Sequence, residues 1–292
     1  MQKIFFLFII HFFFIKSNFC QNNLNDNLLD SNTLHFIESF KKGKELSPND
    51  IIGIGYFDVY MGNNIRGNQI MEYGLKQISS PSYEIYHEIS VQNTKNGNYH
   101  QAVKYLNLAA KLNPEVYGYY GWLMLYYYRD YSKAISYLEK YDSLTPNFTD
   151  YPSGENINYL KGLAYLNQKK YSFSIDFFNK NITEVKKTIG EKWIDPSVFY
   201  YLGIAYYSIG NFKLAKSNLK KALKYNSQFC EAYFYLAKIE KNKNNRLNKL
   251  LKAKQLLIND FTKQDVYVEI FNPIYLQDIE NEIQKLNINE SL

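Results

Sequence analysis

A helical unit that recurs along the chain constrains the fold of this sequence more than any other feature. Its clearest copy covers Phe199–Tyr225, where two apolar stripes at helical spacing flank Gly203. Because a glycine inside a helix costs about 1 kcal/mol relative to alanine, we expect a second helix to approach closely there. Gly210 then ends the first helix, and a lysine-rich helix follows with Ala215 on its apolar face.

This unit resembles a tetratricopeptide repeat, a pair of helices with an aromatic, Leu-Gly, tyrosine and alanine at fixed spacing. The matching residues are Phe199, Leu202, Gly203, Tyr206 and Ala215. Leu219 replaces an aromatic residue of the family pattern, and weaker copies of the unit lie on both sides. The resemblance implies an all-α fold, a right-handed α-solenoid of antiparallel helix pairs with about five repeats. A generic set of antiparallel helices is the alternative.

The repeats and the segments around them divide the chain into five parts. These are a signal peptide (1–20), a leader (21–32), a degenerate leading repeat or cap (33–81), the repeat array (82–257) and a C-terminal segment (258–292). Asn272-Pro273 predicts the start of a last helix with one apolar and one acidic face. A polar outer face suits the terminal helix of a solenoid.

The first residues predict export from the cytoplasm. Lys3 precedes the apolar run Ile4–Ile15, which is shorter than the ~20 residues that span a bilayer, and a polar stretch follows. We place cleavage near Cys20, so the protein is expected in the periplasm, in the cell envelope or outside the cell. Lipidation of Cys20 is an alternative, although Asn18 and Phe19 are not the small residues that a lipoprotein signal requires. A further alternative is that the N-terminal apolar segment is not cleaved and anchors the protein in the membrane.

No pattern of residues indicates a catalytic, cofactor-binding or metal site. His35, His87 and His100 lack companion ligands at metal-binding spacing. Gly53 and Gly55 lack the third glycine and the Lys-Ser/Thr pair of a phosphate-binding loop. Cys230 is predicted to be a small buried apolar residue. The alternative is an enzyme with an unrecognised site.

The formal net charge of +6 is unevenly distributed. Residues 211–255 hold twelve basic and two acidic residues, and residues 256–292 hold seven acidic and two basic ones. We favour a solvated lysine face; pairing with the acidic C-terminal helix is an alternative. Nucleic acid is not expected as a partner, because lysines predominate without interleaved arginine or stacking aromatics. An insertion before the central unit carries Trp193, which is expected to pack on a neighbouring helix.

The family resemblance also implies a binding surface. In tetratricopeptide-repeat proteins the first helix of each pair lines a concave groove that receives a segment of a partner protein. Tyrosine-rich surfaces make good anchors for such partners, and packing of these side chains between repeats is the alternative. The residues assigned to this groove are Tyr128, Tyr159, Tyr200, Ile204, Tyr207 and Phe234. The sequence therefore predicts a non-catalytic interaction scaffold of the envelope or secreted compartment, with a membrane-anchored structural component as the alternative.

Overall fold

The computed structural model describes residues 29–41, 43–259 and 271–288, and the regular secondary structure in these ranges is helical throughout. The predicted signal peptide and residues 21–28 of the predicted leader lie outside the described residues. Within them, fourteen α-helices follow one another, so the all-α prediction is confirmed. They are α1 Ser31–Glu38, α2 Pro48–Tyr60, α3 Asn64–Lys76, α4 Tyr83–Lys95, α5 Tyr99–Leu112, α6 Val116–Tyr126, α7 Tyr131–Asp142, α8 Ile157–Asn167, α9 Tyr171–Thr188, α10 Pro196–Ser208, α11 Phe212–Tyr225, α12 Cys230–Ile239, α13 Lys243–Ile258 and α14 Leu276–Ile288.

The contacts divide the chain into two compact units, residues 1–102 and 103–292, and the division falls within α5. In the first unit, α2 and α3 pack closely because both carry glycine at the point of contact. A Cβ on Gly55 would lie 2.7 Å from the carbonyl oxygen of Gly67, and a Cβ on Gly67 would lie 2.7 Å from that of Gly55. Gly53 and Gly55, which do not fit a phosphate-binding loop by sequence, both lie on helix α2, where Gly55 serves packing.

The second unit contains four successive helix pairs, α6–α7, α8–α9, α10–α11 and α12–α13, and each pair packs on the next. The prediction for Gly203 is confirmed, because a Cβ there would lie 2.9 Å from Cγ of Leu219 on the partner helix. Gly121 in α6 and Gly162 in α8 occupy the equivalent positions, where a Cβ would lie 2.7 Å from Leu138 and Phe178 respectively. Glycine against a large apolar residue is thus the repeated contact of these pairs.

The turns inside the helix pairs require a left-handed residue, and glycine does not always supply it. Gly210 adopts φ 77° between α10 and α11, but Arg129 adopts φ 53° between α6 and α7, and Lys169 adopts φ 59° between α8 and α9. A side chain in this backbone region costs of order 1 kcal/mol, so these two turns are mildly strained.

The C-terminal segment departs from the sequence-based expectation. The last helix, α14, begins at Leu276 rather than at Asn272-Pro273, and the Asp278 carboxylate accepts the backbone N–H of Tyr275 at 2.9 Å. Ile274 is buried with residues of α12, α13 and α14 in a terminal apolar cluster that includes Phe234, Ile279 and Leu286. Residues 271–275 are therefore an extended or bent strap ahead of the helix.

Cys230 and the lysine-rich region show how the C-terminal end is held together. Cys230 is buried, its Sγ donates to the carbonyl oxygen of Ala253 at 3.1 Å, and burial raises its pKa to about 12, which confirms the predicted structural role. Two basic residues of α13 pair with acidic residues of α14: Lys254 lies 2.7 Å from Glu280, and Arg246 pairs with Glu282. Part of the basic region thus meets the acidic helix, the alternative weighed above.

The expectation for Trp193 is wrong. The indole is 64% exposed in a short 3-10 turn, Glu191–Trp193, that follows the lengthened helix α9. The insertion is accommodated by extending the helix to Thr188, and Trp193 lies in the exposed turn that follows.

Candidate functional site

The six residues assigned to the predicted groove differ in accessibility. Tyr159, Tyr200, Ile204 and Phe234 are buried, and Tyr128 and Tyr207 are half-buried. Rings from other elements pack on two of the buried members: the Tyr200 ring centroid lies 4.8 Å from that of Phe229, and the Tyr159 ring centroid lies 6.1 Å from that of Phe178. Partner contact by this set stays a prediction, and the accessible side chains of Tyr128 and Tyr207 are the ones through which it can be tested.

The surface around Tyr200 is occupied by the chain's own C-terminal strap. The Tyr201 hydroxyl donates to the carbonyl oxygen of Phe271 at 3.3 Å, and the Tyr200 hydroxyl donates to that of Asn272 at 3.3 Å. Asn272 adopts φ 53°, which turns the strap at this point. Two neighbouring tyrosines of α10 therefore bind two consecutive backbone carbonyls of a non-helical segment.

The Phe271 ring enters a recess formed by α6, α7 and the turn between them. Its centroid lies 5.4 Å from that of Tyr126 and 6.3 Å from that of Tyr131. The Arg129 guanidinium carbon lies 4.1 Å above the same ring, a distance at which the cation is attracted to the π face. Phe271 is only 4% exposed as a result. We call the recess and the two α10 hydroxyls the Phe271 site, made of Tyr126, Arg129, Tyr131, Tyr200 and Tyr201.

A carboxylate fixes the aromatic side chains beside this site. Glu155 accepts the indole N–H of Trp122 at 2.9 Å through Oε2 and the Tyr126 hydroxyl at 3.0 Å through Oε1. Burial, together with the nearby Tyr159 and Glu155, raises the pKa of Tyr126 well above its usual value, so the hydroxyl stays protonated and remains a donor. The ring of Tyr126 is therefore held in place independently of Phe271.

The sequence interpretation missed most of the Phe271 site. Tyr126, Arg129, Tyr131 and Tyr201 were not assigned to the groove. A signal was present for α6, whose sequence VYGYYGWLMLY is apolar or aromatic on all sides and so indicates a helix covered on more than one face. Arg129 in a turn without glycine was a second signal. No local pattern marks Phe271, because its contacts lie far away along the chain.

Within the part of the chain that the structure describes, no group of three or more His, Cys, Asp or Glu side chains could hold a metal ion. In the same ranges, no helix combines the length and the apolar character needed to cross a bilayer.

These features define a class of protein: an all-α chain of successive helix pairs with an aromatic recess that holds a non-helical segment. The tetratricopeptide-repeat family model matches residues 83–116 and 196–229, which contain α4 with α5 and α10 with α11. The chain thus carries two segments that match tetratricopeptide repeats, and the predicted α-solenoid class is confirmed. Repeats of this family typically serve as non-catalytic interaction scaffolds.

Solved structures share this fold at low sequence identity. The C-terminal part of a tetratricopeptide-repeat protein from Cytophaga hutchinsonii is 20% identical, covers 80% of this chain and 95% of its own, and gives a TM-score of 0.57. PilF from Pseudomonas aeruginosa is 17% identical, with 81% and 97% covered and a TM-score of 0.54. MamA from Desulfovibrio magneticus RS-1 is 18% identical, with 63% and 97% covered and a TM-score of 0.50. No curated protein matches the chain.

Proposed function

We propose that this protein is a non-catalytic scaffold that holds an extended segment of a partner protein against the first helices of its repeats. The observation that supports the proposal is the seating of residues 271 and 272 on α6, α7 and α10, where two hydroxyl donors and an aromatic recess hold a non-helical segment. Two tyrosine hydroxyls bind backbone carbonyls, which any sequence offers, and one recess takes a side chain. Peptide-binding surfaces commonly combine hydrogen bonds to the bound backbone, which contribute affinity, with a side-chain pocket, which contributes specificity.

We further propose that the scaffold acts after export, in the periplasm, the envelope or the secreted compartment. The support is the basic and apolar start of the sequence, followed by a polar stretch at Lys16–Gln21. A membrane-anchored structural component remains the second candidate, because Cys20 lies at the expected cleavage point. Fractionation of cells carrying the wild-type chain or Cys20→Ser distinguishes them. A lipid anchor requires loss of membrane association in the variant, whereas a free exported scaffold behaves identically in both.

Site-specific photo-crosslinking in intact source cells tests the scaffold. A photoreactive amino acid replaces Tyr128 or Tyr207, the two accessible members of the predicted groove, and replaces Phe148 in a matched control. Phe148 is 67% exposed on the loop after α7 and has no assigned role. We expect one discrete crosslinked protein from the groove positions and none from position 148. The same products from all three positions, or none from the groove positions, would contradict the proposal.

A further inference from the structure

We infer that the Phe271 site is a receptor for a bent, non-helical partner segment anchored by one aromatic side chain, and that the chain's own strap competes for it. The inference rests on the proposed scaffold function and adds the chemistry of the partner and the way in which binding is controlled. The strap occupies the site in the structure. Its contacts indicate which groups a partner segment needs in order to take its place: two consecutive backbone carbonyls and an aromatic ring.

The recess selects its occupant by the ring. Tyr126 and Tyr131 flank the Phe271 ring, and Arg129 covers it. An aliphatic side chain would fill part of the volume but would lose the attraction between the guanidinium and the π face. The carbonyl contacts made by Tyr200 and Tyr201 do not read side chains. The left-handed φ of 53° at Asn272 favours asparagine or glycine after the aromatic anchor, so selectivity is concentrated at these two positions of the bound segment.

The structure around the site keeps it formed when the strap leaves. Tyr126 is tied to Glu155, Glu155 also accepts from Trp122, and Tyr200 packs on Phe229 and Tyr201. These contacts do not involve the strap. On its other side the strap is anchored by Ile274, which is buried in the terminal apolar cluster. Phe271 can therefore leave the recess while α14 remains attached, and an incoming segment can replace it.

Competition within one chain sets the affinity that a partner needs. A segment held in the same chain experiences an effective concentration on the order of millimolar. Because the strap is seated, the isolated segment should bind an emptied site with a dissociation constant of about 1 mM or lower. A partner that binds the wild-type chain must bind the site more tightly than the isolated strap segment does, because occupancy by the strap lowers the apparent affinity of every competitor.

Binding of a synthetic peptide to the full-length chain tests the inference. The probe is a fluorescent, N-acetylated peptide of residues 271–275, FNPIY, and its control carries alanine in place of the phenylalanine. We expect the Phe271→Ala protein to bind the probe about tenfold more tightly than the wild type does, because its recess is empty. We expect the alanine peptide to bind that variant at least about tenfold more weakly than the probe. Circular dichroism melts verify folding, and Phe271→Leu, which keeps an apolar anchor, replaces Phe271→Ala if the latter fails to fold.

A second variant tests the recess without disturbing the backbone. Arg129→Gly suits the left-handed turn at φ 53° and removes the side chain whose guanidinium covers the ring. In the Phe271→Ala background it should weaken probe binding about fivefold, through loss of the cation–π contact. Equal binding of the probe to wild type and Phe271→Ala, or no binding below about 1 mM, would overturn the inference. So would a wild-type dimer in light scattering that dissociates on Phe271→Ala, because the occupant would then be a second copy's strap.

The two proposals fail separately. If the probe binds as expected while crosslinking at Tyr128 and Tyr207 finds no protein, the scaffold function fails and the aromatic-selective site stands. If crosslinking finds a partner and the probe does not bind, the scaffold function stands and the Phe271 site is only an internal clamp, which overturns the inference.

Discussion

At the scale of single residues, close helix packing requires glycine at some helical positions and not at others. Gly53 and Gly55 lie two positions apart in α2 and have opposite surroundings. A Cβ on Gly53 would meet nothing within 4 Å, whereas a Cβ on Gly55 would lie 2.7 Å from a backbone oxygen and 2.9 Å from the backbone nitrogen of Met71. Backbone atoms cannot move without moving α3.

Alanine at these two positions should therefore shift stability in opposite directions. Gly53→Ala is expected to raise the free energy of unfolding by about 1 kcal/mol, the helix-propensity gain. Gly55→Ala gains the same propensity but forces α2 and α3 apart, so we expect a net loss of roughly 2 kcal/mol. Urea unfolding monitored by circular dichroism measures both. Equal effects of the two substitutions would refute the close-contact explanation.

At the scale of elements, α14 shows apolar burial and ion pairing working on one helix. Ile279 is fully buried in the terminal cluster, while Lys254 and Glu280 are each about one-third exposed. Exposed ion pairs contribute about 0–1 kcal/mol because water and salt screen them. Truncating a buried isoleucine costs about 2–5 kcal/mol. The apolar face should therefore dominate the attachment of α14 to α13, although the charges are more conspicuous in the sequence.

Two substitutions in neighbouring positions of α14 separate these contributions. We expect Ile279→Ala to abolish most hydrogen-exchange protection of α14 and Glu280→Gln to leave it nearly unchanged. Raising the salt concentration should have little effect on the wild type. The prediction does not survive if Glu280→Gln, or salt alone, releases the helix as far as Ile279→Ala does.

The helices were more predictable than the surface that they form. Residues such as Leu202, Gly203 and Ala215 recur at a fixed period, so the helix pairs and the contact of Gly203 with Leu219 follow from local spacing. The orientation of α10 does not, because Ser197–Ala205 is buried throughout and no single stripe identifies the partner-facing side. Periodicity alone therefore did not show which of Tyr200 and Tyr201 faces a binding surface, and it gave no indication that Phe271 is buried against distant helices.

At the scale of the molecule, the strap departs from the rule that each repeat of a solenoid contacts only its neighbours. Phe271 contacts α6, α7 and α10, and Ile274, three residues later, is buried with α12, α13 and α14. The strap thus joins the C-terminal end of the second unit to its first helix pair. In a linear array the terminal repeats are the least stable, because each has a neighbour on one side only. A contact that joins distant repeats should therefore make the unit unfold more cooperatively.

Hydrogen exchange of two strap variants measures this long-range effect. Phe271→Ala removes the contact with the first helix pair, and Ile274→Ala removes only contacts within the terminal cluster. We expect Phe271→Ala to speed exchange in α6 and α7 by severalfold or more, because part of the roughly 3–5 kcal/mol of a buried phenylalanine is lost there. Ile274→Ala should speed exchange in α12–α14 while α6 and α7 stay close to wild type. If both variants affect only the C-terminal helices, the strap stabilises its own end and the repeats behave as an ordinary nearest-neighbour array.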